Sequence, residues 1–293
     1  MEIVLANSDA SGTNSLPMKR FLIFTVVAAF SVAVLAAQNA DPSTSTNRAA
    51  APAPAAAPAP AAASTVAPAP VVLKQRADVP APKLSSRDGK PDAGFLKRHE
   101  EFLSIAKAGN VELLFLGDSI TDAWRSPGNR EIFNKAFGQY KPANFGIGGD
   151  RTQHVLWRIT NGELDGITPA AVVLMIGTNN SGSDPAEETA YRIKKICDYI
   201  REKSPTTKVL LLAIFPRGEK KDNPQREINK RVNSMISGLH NGQNVFYMDI
   251  GGKFLQDDDS ISKEIMPDFL HLTPKGYQIW ADAITPKLSE LMK

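Results

Sequence analysis

Short apolar runs that alternate with amphipathic segments constrain the fold of this chain more than any other feature. The runs cover residues 111–116, 171–176, 209–215 and 245–249, and a short further run precedes Asn144. The runs at 171–176 and 209–215 are apolar throughout, which is typical of strands covered on both faces. Strands that alternate with helices in this way indicate a parallel sheet between two helical layers.

Helical patterns lie between these runs at 92–108, 151–160, 185–203 and 225–239. Thr273 is placed to cap a last helix, because Pro274 follows it at the first helical position. We therefore predict one α/β domain over residues 84–293, a three-layer α/β/α fold with a parallel five-stranded sheet.

The first 83 residues differ from this domain in composition. Residues 21–37 are apolar without a charge and follow Lys19 and Arg20, a pattern typical of a secretory signal. We predict a signal peptide or N-terminal anchor within residues 1–40, and an Ala/Pro-rich disordered linker at 41–83. The domain is then exported: periplasmic, secreted or membrane-anchored facing outside the cytoplasm. If the signal segment is not cleaved, the run at 21–37 tethers the chain to a membrane.

Composition and spacing exclude several classes of function. The 34 basic and 31 acidic residues nearly balance, which argues against a nucleic-acid partner. Cys197 is the single cysteine, so an intrachain disulfide and a cysteine-based zinc site are ruled out. Arg151 stands where a dinucleotide-binding loop needs its third glycine. Thr121 stands where the nucleophile turn of an α/β-hydrolase needs glycine.

Glycine-rich and polar segments follow three of the predicted strands, and parallel strands bring their carboxyl ends to one edge of the sheet. Ser119 lies at the first of these ends, where a strand turns into a helix. Free backbone N–H groups at such a helix start favour developing negative charge. Ser119 is therefore a candidate nucleophile, with a simple helix cap as the alternative.

A serine nucleophile needs a base, and His271 is the candidate among four histidines. Asp268 precedes it by three residues, so its carboxylate can hold one ring nitrogen while the other takes the proton of Ser119. Asp249, at a strand end, is the rival carboxylate. The other histidines are assigned to a solvated helix face (His99), to packing or exposure (His154) and to a helix end (His240).

Ester chemistry at Ser119 also needs donors for an oxyanion. The N–H of Ser119 supplies one, and a glycine N–H from Gly148 or Gly149 supplies the second, because backbone without a side chain can approach a ligand closely. The side-chain amide of Asn179 supplies the third.

Four segments together resemble, in their order, the conserved blocks of SGNH (GDSL-type) hydrolases. They are 117–120 (Gly-Asp-Ser-Ile), 146–150 (Gly-Ile-Gly-Gly-Asp), 177–179 (Gly-Thr-Asn) and 268–271 (Asp-Phe-Leu-His). Residues 144–158 and 216–220 are similar to the intracellular platelet-activating-factor acetylhydrolase branch of this family. The resemblance covers roughly residues 90–290. It implies a flavodoxin-like sheet, a nucleophile at Ser119, an acid at Asp268 and a base at His271.

The same resemblance implies an oxyanion hole of Ser119, Gly149 and Asn179, in a serine esterase without metal or cofactor. Ile120 departs from the leucine of many family members, whereas Asn180 fits the acetylhydrolase branch. The expected substrate is a small-molecule or glycan ester with a short, acetyl-like acyl group. The alternatives are a lysophospholipase- or thioesterase-type lipid acyl hydrolase, and a catalytically silent tethered carbohydrate-binding module. The sequence leaves open whether the chain is a monomer or a homodimer.

Overall fold

The computed structural model describes residues 79–293. The predicted signal peptide or anchor, the tethering run at 21–37 and most of the predicted linker lie outside these residues. Among the helices of residues 79–293, none is long and apolar enough to cross a bilayer. The boundaries at residues 40 and 83 therefore stay predictions.

Five parallel strands form the single sheet of the described domain, which confirms the predicted fold class. Their order across the sheet is β2-β1-β3-β4-β5. The strands are β1 (Leu113–Gly117), β2 (Pro142–Gly146), β3 (Ala171–Met175), β4 (Lys208–Leu212) and β5 (Val245–Met248). The chain moves outward from β1 to β2, then crosses back to β3 and continues to β5.

The register of the central strands brings three chain segments to one level. Gly117, the last residue of β1, pairs with Gly146 of β2 on one side and with Met175 of β3 on the other. The segments that leave these three strands therefore start side by side, at the edge where sites form in parallel sheets.

Seven α-helices connect and cover the strands of the described domain. They are α1 (Ala93–Ala108), α2 (Ser119–Asp122), α3 (Pro127–Phe137), α4 (Thr152–Arg158), α5 (Ala186–Lys203), α6 (Pro224–Ile236) and α7 (Pro274–Leu291). The side chains of Asp92, Asn223 and Thr273 cap α1, α6 and α7 by accepting backbone N–H bonds.

Helix α3 was not among the helical patterns in the sequence, whereas the helix start at Ser119, where α2 begins, was predicted. Helix α3 starts Pro-Gly-Asn, residues of low helix propensity, and few of its side chains are apolar. Phe133 and Phe137, four residues apart, bury one face of this helix against the sheet. Tertiary packing therefore forms a helix that local preference does not indicate.

Two apolar clusters, one on each face of the sheet, form the core. Along β1, Leu114 and Leu116 belong to one cluster, whereas Leu113 and Phe115 belong to the other. This alternation is the two-residue period of a strand. Helices α1, α4, α5 and α6 contribute to the first cluster, and α3 and α7 contribute to the second. The sheet is thus the middle layer of three.

A buried ionic network lies beneath the carboxyl ends of β1 and β2. The fully buried guanidinium of Arg158 donates through Nε to Asp150 Oδ2 at 2.9 Å and through Nη1 to Glu163. Its Nη2 donates to the carbonyl oxygen of Phe145 at 2.9 Å. The predicted solvated position of His99 is wrong: this side chain is buried, and its Nδ1 lies 2.8 Å from Glu163 Oε1. Packing of α1 against the turn after α4 causes the difference.

We expect replacement of Arg158 by methionine to destabilise the domain strongly. Arg158→Met leaves two buried carboxylates, Asp150 and Glu163, without their cation, and breaking such a pair costs about 3–5 kcal/mol. Arg231→Met is the matched control, because Arg231 pairs with Glu187 at the surface and such pairs contribute below about 1 kcal/mol. Urea unfolding of both variants measures the difference. Equal losses would show that the buried network does not stabilise the fold.

Asp118, at the turn from β1 to α2, is a further buried titratable group. Its Oδ1 accepts the N–H of Ile120 at 3.0 Å, and its Oδ2 has no hydrogen-bond partner in the described part of the chain. Burial raises the pKa of Asp118 from an ordinary 3.8 to about 7. The folded chain thus keeps a proton that the unfolded chain releases above about pH 4, so the free energy of unfolding falls as the pH rises toward 7.

Asp118→Asn tests this pH dependence, because asparagine keeps the capping oxygen and removes the titration. Between about pH 5 and pH 7 we expect the wild type to lose about 2 kcal/mol of unfolding free energy more than the variant does. Denaturant unfolding of both proteins at both pH values gives the four free energies of unfolding that the comparison needs. Parallel losses in the two proteins would show that Asp118 titrates normally.

Candidate active site

Ser119 occupies the first turn of α2, directly after β1. The chain turns tightly here because Gly117 has no side chain: a Cβ at this position would collide with the carbonyl oxygen of Met175 and with Thr121. The Ser119 side chain is half-buried at the sheet edge. Its position at the start of a helix is the one that the sequence predicts.

The structure brings Ser119, His271 and Asp268 into one hydrogen-bonded chain, although 152 residues separate the serine from the histidine. Ser119 Oγ lies 2.9 Å from His271 Nε2, and His271 Nδ1 lies 2.6 Å from Asp268 Oδ2. The carboxylate holds Nδ1, so Nε2 faces the serine hydroxyl. This is the order of groups that transfers a proton from serine to imidazole.

A tight turn before α7 fixes the histidine and the aspartate. Asp268 Oδ1 accepts the backbone N–H groups of Leu270 at 3.1 Å and of His271 at 2.7 Å. Phe269 has φ 59°, in the left-handed region, and its carbonyl oxygen accepts the N–H of Gly218 at 2.8 Å. One carboxylate oxygen therefore organises the turn, while the other orients the ring.

Asp268 is ionised although it belongs to this hydrogen-bonded chain. Partial burial pushes the pKa of Asp268 up, but the hydrogen bonds and the charge of His271 push it down further, so it lies below its ordinary value. The side chains of Asp268 and His271 are 55% and 41% exposed, so this end of the site opens to solvent. An ionised carboxylate at this position can stabilise a positive charge on the ring of His271.

Three groups at this edge of the sheet have a hydrogen that they can donate to an oxyanion. Within residues 79–293, the N–H groups of Ser119 and Gly149 donate to no protein acceptor. Asn179 Nδ2 donates one hydrogen to the carbonyl oxygen of Asp150 at 2.8 Å, which leaves its second hydrogen available. A Cβ on Gly148 would lie 4.0 Å from that of Ser119, so the glycine loop passes directly beside the nucleophile.

The remaining histidines and Asp249 have other partners. Burial lowers the pKa of His154 to about 3, and its Nδ1 accepts the N–H of Arg151 at 3.1 Å. His240 Nδ1 accepts the N–H of Tyr247, and Asp249 Oδ1 accepts that of Gly251. The described residues contain no group of three or more His, Cys, Asp or Glu side chains that could hold a metal ion.

Two cations near the site were not among the predicted site residues. Lys83 Nζ donates to the carbonyl oxygen of Gly148 at 2.7 Å, although composition placed it in the linker. Arg217 Nη1 donates to the carbonyl oxygen of Thr178 at 2.9 Å, and its charge offsets part of the rise in the pKa of Asp118 that burial causes. A lysine that ends an Ala/Pro-rich stretch is the sequence signal that could have pointed to Lys83.

Comparison with known proteins finds relatives of similar sequence. The chain is 40% identical over 194 residues to platelet-activating factor acetylhydrolase IB subunit alpha2 of Rattus norvegicus, covering 66% of this chain and 82% of that protein. It is 38% identical over 192 residues to the alpha1 subunit of Bos taurus, covering 65% of this chain and 81% of that protein. These relatives are acetylhydrolases by name.

Solved structures share the fold at lower sequence identity. A GDSL-like lipase from Bacteroides thetaiotaomicron superposes with a TM-score of 0.53 at 17% identity, covering 66% of this chain and 97% of that one. LAE5, an alpha/beta hydrolase enzyme from the metagenome of Lake Arreo, superposes with a TM-score of 0.51 at 18% identity. The match covers 62% of this chain and 97% of that one.

The family described as GDSL-like Lipase/Acylhydrolase matches residues 115–279, a span that contains the serine, the glycine loop, the asparagine and the Asp-His turn. Similarity of this extent, together with the acetylhydrolase relatives, shows that the enzyme is a carboxylic ester hydrolase. The chain belongs to the GDSL-like lipase/acylhydrolase family.

Proposed function

We propose that the enzyme hydrolyses short-chain esters, with acetyl as the acyl group, through Ser119, His271 and Asp268. One observation carries this proposal: the unbroken hydrogen-bonded chain from Ser119 Oγ through both ring nitrogens of His271 to Asp268 Oδ2. Such a chain activates a serine that is otherwise a weak nucleophile.

In the first half of the reaction, Ser119 Oγ attacks the ester carbonyl carbon and His271 Nε2 takes the hydroxyl proton. The carbonyl oxygen becomes an oxyanion, which accepts hydrogen bonds from the N–H of Ser119, the N–H of Gly149 and the free amide hydrogen of Asn179. His271 then gives its proton to the leaving alcohol, and the acyl group stays on Ser119.

In the second half, water replaces the alcohol. His271 Nε2 takes a proton from water as its oxygen attacks the acyl carbon, and a second oxyanion forms in the same place. Collapse of this intermediate breaks the bond to Ser119 Oγ, which regains its proton from His271, and the carboxylic acid leaves. No step calls for a metal ion.

Asp268 does not transfer a proton in this scheme. It keeps His271 Nδ1 protonated and the ring correctly oriented, and its negative charge stabilises the imidazolium. The lowered pKa of Asp268 supports this role, because the carboxylate remains ionised at neutral pH.

The choice of an acetyl ester rests on the relatives that are named acetylhydrolases. The acceptor alcohol is a separate question. The apolar run at 21–37 and the spacer after it favour export, which would bring the enzyme to acetylated polysaccharide. Cell fractionation of chains with and without residues 1–40 tests export, and retention of the full chain in the cytoplasm would contradict it.

Ser119→Ala tests the nucleophile. We expect turnover of 4-nitrophenyl acetate to fall at least about 10³-fold, because no other group can form the acyl intermediate. A fluorophosphonate should label the wild type and not the variant. Ser126→Ala is the control, since Ser126 is exposed and its side chain makes no capping bond. Wild-type turnover by Ser119→Ala would rule out the proposed mechanism.

An acyl-length series tests the substrate class. We expect kcat/KM on nitrophenyl esters to be highest for acetate and to fall steadily with chain length. Acetylated xylan and a lysophospholipid are compared in parallel as natural acceptors. A maximum at eight carbons or more, or turnover of the lysophospholipid alone, would favour the lipid acyl hydrolase. Absence of labelling and of turnover on every ester would favour a silent binding module.

A further inference from the structure

Lys83 reaches the glycine loop from a segment outside the sheet and helices. Its Nζ donates to the carbonyl oxygen of Gly148 at 2.7 Å. A Cβ built on Gly149 would lie 2.9 Å from the same Nζ, so the ammonium packs directly against the backbone of both glycines. Gly149 has φ +74°, a conformation that glycine adopts without strain.

Backbone contacts fix the segment that carries Lys83. The carbonyl oxygen of Lys83 accepts the N–H of Asp92, the residue that caps α1, at 2.8 Å. Leu84 pairs with Pro91 in an isolated β-bridge, and the N–H of Ala81 donates to the carbonyl oxygen of Gln153. The segment 81–84 is therefore anchored to the start of α1 and to α4, and Lys83 is held toward the loop.

The geometry of a peptide group links this contact to the active site. The carbonyl of Gly148 and the N–H of Gly149 belong to one planar trans unit and point in opposite directions. A cation that holds the oxygen therefore sets the direction of the N–H. A charge-assisted bond at the oxygen also polarises the unit, which makes the N–H a stronger donor.

We propose that Lys83 is a positioning residue for the oxyanion hole, which acts through the peptide between Gly148 and Gly149. This inference rests on the proposed function, because it assumes that the N–H of Gly149 binds the oxyanion. It extends the active site to a residue that precedes the first helix and lies outside the span of the family match.

Two other roles for Lys83 make different predictions. An ammonium that contacts the substrate would mainly lower KM, because it would bind the ground state and the transition state alike. A purely structural contact would change the stability of the fold and leave the kinetics of the folded enzyme unchanged. A group that strengthens an oxyanion donor acts only when charge develops, so its loss lowers kcat.

Lys83→Met is the first test, with 4-nitrophenyl acetate as the substrate. Loss of a whole oxyanion donor lowers kcat by about 10²–10³-fold, so loss of its orientation should lower kcat about tenfold with KM within about twofold. Lys97→Met is the matched control, because Lys97 is exposed on α1. An unchanged kcat, or a change confined to KM, would overturn the proposal.

Chemical restoration of the charge is the second test. In Lys83→Cys, 2-bromoethylamine alkylates the thiolate, with loss of bromide, and gives an ammonium on a chain of lysine length. Iodoacetamide gives a neutral group at the same sulfur. Cys197 does not interfere, because it is buried and burial raises its thiol pKa to about 12.

We expect the aminoethylated protein to recover kcat to within about threefold of the wild type, and the amide to stay at the Lys83→Met level. Equal recovery with both reagents, or with neither, would overturn the role of the positive charge. Fluorophosphonate labelling of the wild type distinguishes a failure of the proposed function from a failure of the role proposed for Lys83. An unlabelled wild type contradicts the proposed function, whereas a labelled, active wild type with kinetically normal Lys83→Met contradicts only the role of Lys83.

Discussion

The placement of Ser119, Gly149 and Asn179 side by side depends on the register in which β2, β1 and β3 end. Gly117, Gly146 and Met175 lie at one level, so three chain segments leave the sheet next to each other. The first supplies Ser119, the second supplies Gly149 and the third supplies Asn179. A shift of one strand by one residue would move its segment by about 3.3 Å and reverse its side chains, so the three segments would no longer lie at one level.

The glycine loop, which carries the proposed oxyanion donor Gly149, is held from two sides by cations. Arg158 binds the Asp150 carboxylate and the carbonyl oxygen of Phe145 from beneath the loop. Lys83 binds the carbonyl oxygen of Gly148 from the side. The glycines of this loop have high conformational freedom. The bonds to Arg158 and Lys83 restrict that freedom. Preorganised donors stabilise a transition state because they need not reorient during the reaction.

The parallel sheet could be predicted from the sequence, because a strand that is buried on both faces is a continuous apolar run. Such a run can be recognised without knowing which elements pack against it. Sequence reasoning also pointed to Ser119, Asp268 and His271, which the structure brings within hydrogen-bonding distance. It missed helix α3, whose apolar face only tertiary packing reveals. The placement of His99 was wrong, because its partner Glu163 is 64 residues away and local charge suggested solvent.

The single, buried cysteine has a consequence for where this domain can fold. One thiol cannot form an intrachain bridge, and Cys197 is too deeply enclosed between sheet and helix to cross-link two copies. The native state therefore gains nothing from an oxidant and loses nothing to a reductant. The domain therefore needs no disulfide in either redox environment, and thiol–disulfide isomerases have no substrate in it.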